Sequence, residues 1–90
     1  MENVVQKSTE KGGVKMFDYK MLKLKIKEVY DTQEEFSLVM HMSLTALNQR
    51  LNNTIEWKSP EIVMACELLH IPLTEAHVYF FTQKVQKSTD

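Results

Sequence analysis

Two short helix starts placed close together constrain this chain more than any other feature. Thr32 is followed three residues later by Glu35, a pattern in which the hydroxyl accepts from a first-turn N–H and the acid reaches back to the cap. The apolar set Phe36, Val39 and Met40 follows at helical spacing. Ser43 then supplies a fresh N-cap, so the helix that Thr32 opens must stop near His41. A further helix is expected from Leu44 to about Asn52. Two short helices separated by His41-Met42-Ser43 have the spacing of a helix-turn-helix.

The remaining chain supplies helices to pack around that pair. Asp18 is a good N-cap for a first helix ending near Tyr30, with Leu22, Ile26, Val29 and Tyr19 on one face. Lys20, Lys23 and Lys27 form a separate stripe, readable as a solvated face or as phosphate contacts. Past the turn pair Asn52-Asn53 and a loop with Ile55 and Trp57, Ser59-Pro60 places a cap and first-turn proline for a fourth helix. Its expected buried face is Ile62, Ala65, Cys66 and Leu69, and it ends before Pro72. Thr74 is expected to cap a short fifth helix through Tyr79 or Phe80, which close the core over the first helix. Leu24 and Leu38 project from polar sides, and isolated exposed leucines are ordinary.

Composition agrees with an all-α, compact five-helix domain. The apolar fraction is 43%, and two Gly and two Pro are too few breakers for a turn-rich β fold. Residues 16–82 form the expected domain, between a polar tail at 1–15 and a second tail at 83–90. Lys11-Gly12-Gly13 just ahead of Met16 can be encoded by a purine-rich ribosome-binding sequence. Met16 is therefore read as the natural start and the preceding residues as translated leader. One cysteine, Cys66, permits no internal disulfide and fits a reducing cytoplasmic setting. No apolar run reaches the length of a membrane span. The net charge of −1 means that any affinity for nucleic acid must come from local charge placement.

The run from Thr32-Gln33-Glu34-Glu35-Phe36 to Leu47-Asn48-Gln49-Arg50-Leu51-Asn52-Asn53 resembles the Cro/C1-type helix-turn-helix. Phe17 to Lys87 as a whole is similar to small Cro-like regulators of Gram-positive temperate phages and prophages. The likeness includes Met16-Phe17-Asp18-Tyr19, Trp57-Lys58, Ala65-Cys66-Glu67-Leu68-Leu69 and Tyr79-Phe80-Phe81-Thr82. It implies a Cro/repressor-like domain in which Gln33 touches the DNA backbone, Ser37 is the small residue at the helix crossing, and Leu47 and Leu51 anchor the recognition helix. This chain departs from the pattern at His41, where glycine is usual, and at Glu34 and Glu35, close to where a phosphate would lie. Glu35 has a capping duty; Glu34 has none.

On a helical wheel of 44–52, Leu44, Leu47 and Leu51 cluster toward the core, and Thr45, Asn48, Gln49 and Asn52 form an uncharged arc beside them. Amides can bond an adenine edge twice, and a threonine methyl suits thymine. The expected base readers are therefore Thr45, Asn48 and Gln49, with Leu44 and Asn52 at the margin; the bland alternative is ordinary exposed polar residues. Backbone contacts are expected from Lys20, Lys23, Gln33, Ser43, Arg50 and Lys58. Arg50 lies off the arc, so an intramolecular pair is its other reading.

Other chemistry finds little support. Cys66, His70 and His77 match no common zinc spacing, so no metal or other cofactor is expected, and no nucleophile or phosphate-loop motif marks an enzyme. Phe81 and Val85 are either surplus to the core or a homodimer contact. Two functions remain: a regulator reading a double-stranded DNA operator through the third helix, or a module of the same fold that binds a partner repressor. A basic collar around that helix would favour DNA, an acidic one the partner.

Overall fold

A computed structural model describes residues 16–84. Five helices follow in order: α1 (Lys20–Tyr30), α2 (Gln33–Val39), α3 (Leu44–Leu51), α4 (Ser59–Leu69) and α5 (Ala76–Phe80), the last preceded by a 3-10 turn at Leu73–Glu75. No strand occurs among the described residues, and the compact all-helical class expected from the sequence holds. Of the expected tails at 1–15 and 83–90, residues 1–15 and 85–90 fall outside the described residues, Val85 and the expected leader ahead of Met16 with them.

The expected apolar stripes turn inward except at Leu44, which stays exposed. Leu22 and Ile26 of α1, Phe36 of α2, Leu47 and Leu51 of α3, and Ile62, Ala65, Cys66 and Leu69 of α4 form one buried cluster, which Phe80 closes. Fully burying a side chain such as Phe36 or Leu47 contributes roughly 1.5–3 kcal/mol. Ser37 is the buried polar residue of α2; its hydroxyl donates to the Glu34 carbonyl at 2.7 Å, which satisfies it. Trp57 leaves its loop to meet Phe80 edge-on, ring centres 5.0 Å apart.

The helix ends follow local chemistry, with several shifts from expectation. Asp18 accepts from the Lys20 N–H at 2.9 Å, but α1 begins one residue later than an Asp18 cap implies, with buried Tyr19 in the cap position. Between α1 and α2, Asp31 adopts φ 74°, ψ −46°, and the Thr32 N–H donates to the Tyr30 carbonyl at 2.8 Å. That is a γ-turn of the rare, strained hand. Because it uses the Thr32 N–H, the capping box closes only halfway. Thr32 Oγ1 accepts from the Glu35 N–H at 3.1 Å, while the Glu35 carboxylate stays exposed without the duty assigned to it. Ser43 caps α3 as expected, accepting from the Ala46 N–H at 3.0 Å.

At α4 the cap position moves from Ser59 to Lys58, because the Glu61 carboxylate accepts the Lys58 N–H at 3.0 Å. Thr74 makes no cap; it lies inside the 3-10 turn.

Three helices stop in the same way. The N–H groups of Met42, Thr54 and Ile71 reach back to the carbonyls of Ser37, Gln49 and Cys66, and the residue before each is left-handed. These residues are His41 (φ 61°), Asn53 (φ 64°) and His70 (φ 60°), at positions where glycine is the usual solution. His41 was the expected departure; the other two ends repeat it.

The two ends of the described chain meet. Phe17 pairs with Gln83 in an isolated antiparallel bridge, flanked by Asp18 N–H to Thr82 carbonyl at 2.7 Å and Lys84 N–H to Met16 carbonyl at 3.1 Å. The Asn53 amide grips the other side of this arm, accepting from the Phe17 N–H and donating to its carbonyl, both at 2.9 Å. Gln83 and Lys84, placed in the expected C-terminal tail, are thus paired with the N-terminal arm.

Candidate functional site

Thr32 and Ser43 fix the registers of α2 and α3, and Leu47 and Leu51 pin α3 to the core. Thr45 and Asn52 consequently stand exposed, while Asn48 and Gln49 are half-buried on the same helix. Leu44, placed at the margin of the arc, is 39% exposed rather than turned to the core. Leu38 of α2 is 64% exposed. α3 thus carries amides, a hydroxyl and the uncovered Leu44, and α2 adds the uncovered Leu38.

The charges on these two helices decide what the face can meet. Glu34 and Glu35 are exposed at the start of α2. Arg50 is the basic residue of the pair, and its donors point inward. Nε and Nη2 donate to the two Glu61 carboxylate oxygens, each at 3.0 Å, and Nη1 donates to the Ala46 carbonyl at 2.9 Å. The two side chains are only 12% and 22% exposed. The Arg50 hydrogen bonds hold Glu61 below the ordinary carboxylate range against a burial effect of opposite sign, with the Lys58 N–H adding to the lowering. The intramolecular pair, the other reading given to Arg50, is thus what the geometry shows.

The other expected backbone contacts divide between two places. Lys20, Lys23 and Gln33 line one groove of about 700 Å³, together with Asn52 from the end of α3. Ser43 and Lys58 do not line it; Ser43 is occupied as a cap and Lys58 is exposed ahead of α4. Phe81 is half-exposed with its ring edge-on to Phe17, centres 5.7 Å apart, so part of it already packs within the chain.

Sequence reasoning missed Glu61 as the partner of Arg50. It also missed Asn53 as the clamp on the N-terminal arm, and the joining of Lys27, Lys84 and Leu24 to the groove. The lysine stripe of α1 was the one visible signal among these.

Cys66 is buried, which pushes its thiol pKa up and away from reactivity. No group of three or more His, Cys, Asp or Glu side chains placed to hold a metal occurs among the described residues. No helix of the described residues is long and apolar enough to cross a membrane.

Residues 15–83 match a family described as "Protein of unknown function (DUF739)". Among solved structures, the chain is similar to the modulator of repression (MOR) of the temperate bacteriophage TP901-1 from Lactococcus lactis. The two are 34% identical over 78% of this chain and 95% of that one, with a TM-score of 0.67. No curated protein matches the chain.

Proposed function

The chain belongs to the DUF739 family, and we propose that it is a phage regulatory protein that modulates repression by binding a repressor through its α2–α3 face. One observation carries this reading. The two motif helices present Glu34 and Glu35 to solvent while their arginine is tied to Glu61, so the face offers no uncommitted cation to a phosphate. Approach to duplex DNA would bring carboxylates against a dense row of negative charge. A protein partner meets no such penalty, and Leu38 and Leu44 give it apolar surface to cover. Similarity to a phage modulator of repression supports the same reading. In it the protein works in the cytoplasm as a binding module, without catalysis or cofactor.

The uncharged arc favours a second reading, direct contact with an operator. There Thr45, Asn48 and Gln49 would read bases, flanked by Leu44 and Asn52. Lys20, Lys23, Gln33, Ser43 and Lys58 would hold the backbone, and Phe81 could serve a homodimer.

Titration of the purified protein onto its own upstream intergenic DNA across salt, with and without a repressor encoded beside it, separates the two. The modulator reading expects no sequence-selective binding alone and an altered repressor–operator affinity when the protein is added. Selective binding by the protein alone, weakening steeply with salt, would overturn it. In that event Asn48→Ala should cost about 1–3 kcal/mol of discrimination.

A further inference from the structure

The groove beside α1 differs from the motif face in sign and in depth. Lys20, Lys23 and Lys27 stand exposed along α1, and Lys84 joins them from the C-terminal arm. No ion pair involves any of these four among the described residues. Asp18 and Asp31 are the acids of the lining. Elsewhere in the described chain, Lys25, Arg50 and Lys58 face seven glutamates. The groove is therefore the locally basic part of an otherwise acidic body, and it attracts an anionic group.

Charge alone does not describe it. Buried Ile26 and Leu51 form its base, Phe17 adds an aromatic wall, and Leu24 lies 56% exposed within it. A recess of about 700 Å³ falls in the usual range for specific binding sites and has room for several side chains. Phosphate and sugar have nothing to place on an apolar base, so a nucleic-acid backbone would leave that surface uncovered. A peptide carrying acids and large apolar residues satisfies both features. The chain's own first fifteen residues hold three lysines against two glutamates, which is the wrong sign for the site.

We infer that this groove is a second docking site, for an acidic segment of a protein partner that inserts leucine- or phenylalanine-type side chains beside Leu24 while its carboxylates meet Lys20, Lys23 and Lys27. The site lies on the α1 side, with Gln33 of α2 and Leu51 and Asn52 at the end of α3 completing its lining.

The test is titration of the isotope-labelled full chain, followed by amide NMR, with four probes. These are a twelve-residue Glu/Leu amphipathic peptide, the same peptide with Lys for Glu, the same with Ser for Leu, and a short DNA duplex. The acidic amphipathic peptide should shift amides of 16–27 and 51–53 with a Kd on the order of 100 µM or tighter. A Lys23→Glu/Lys27→Glu double variant should weaken binding about tenfold, and Leu24→Ser several-fold. These side chains are exposed, so both variants should retain the amide spectrum of the folded chain.

Equal binding by the Lys peptide or the Leu-free peptide would overturn the inference, as would shifts confined to other residues or unchanged affinity in the variants. Tighter occupation of the same amides by the duplex would make the groove a nucleic-acid site instead. Repressor binding lost on Leu38→Ser but kept in the Lys23→Glu/Lys27→Glu variant would show the α2–α3 face working without the groove. Failure of either reading is then visible separately.

Discussion

The α2–α3 face and the groove beside α1 are built from neighbouring residues, yet they offer opposite surfaces. Gln33 lines the groove, and the next two residues, Glu34 and Glu35, face solvent as acids. Leu51 supplies the groove with apolar base, while one residue earlier Arg50 is turned away to Glu61. A helix sends successive side chains to different sides, so a near-neutral chain can carry a basic recess and an acidic face without either showing in the net charge. The average of −1 thus describes neither surface. Function here follows the distribution of charge, and that distribution is set by which faces the core claims first.

The comparison can be broken most severely at the residue that both surfaces lean on. Leu47 is fully buried between the motif and the rest of the core, and Leu47→Ala should lower unfolding free energy by about 3 kcal/mol in urea denaturation. Both surfaces should be lost together; a variant that lost one alone would show them to be independent units.

Next in size is Glu61→Gln, which removes the charge that holds Arg50 inward, at a cost of about 2 kcal/mol for this partly buried pair. It should also raise nonspecific DNA affinity at low salt, because Arg50 is released toward the acidic face. The pH dependence has a definite sign. Glu61 titrates lower in the folded chain than unfolded, so its contribution is complete above the ordinary carboxylate range and fades as pH falls through the lowered value. Acid titration of stability should therefore be flatter in Glu61→Gln than in the wild type.

A smaller effect of opposite direction is expected at the turn. His41→Gly relieves a left-handed residue with a side chain but adds freedom to the unfolded chain, for a net gain of about 0.5 kcal/mol in thermal unfolding. Binding by either surface should be unchanged. Smallest of all in stability is Leu38→Ser, within about 0.5 kcal/mol for an exposed position, while repressor binding should fall. That separation of stability from binding sharpens the contrast between the two surfaces most cleanly.

What could be read from the sequence was what local chemistry determines. Thr32 and Ser43 act on amides within one turn, so the starts of α2 and α3 were legible. The apolar face of α4 was legible because it repeats with the helix. Features made by distant residues were not. Glu61 meets Arg50 across an interhelical gap that no periodicity announces, and it also displaces the start of α4 by capping Lys58. The helix ends at Asn53 and His70 lacked the glycine that usually marks them. The half-closed box at Thr32 depended on a γ-turn, visible only once the chain had turned at Asp31. The groove combines the N-terminal arm, α1, the end of α3 and Lys84, so only its lysine stripe could be seen beforehand.

The pairing of Met16–Asp18 with Thr82–Lys84 has a topological consequence. Extended segments joined by backbone hydrogen bonds lie about 5 Å apart, so a short peptide linker could join residue 84 to residue 16 and close the body into a ring. New ends could then be cut in the exposed stretch Thr54–Glu56 ahead of α4. Such a circular permutant would keep every helix in place. Conversely, an acidic, leucine-bearing segment joined directly to residue 16 or residue 84 would start beside the groove and meet it at a local concentration in the millimolar range. Attachment of such a segment at either point would turn a bimolecular contact into an intramolecular one, and the groove into a switch set by the sequence of the attachment.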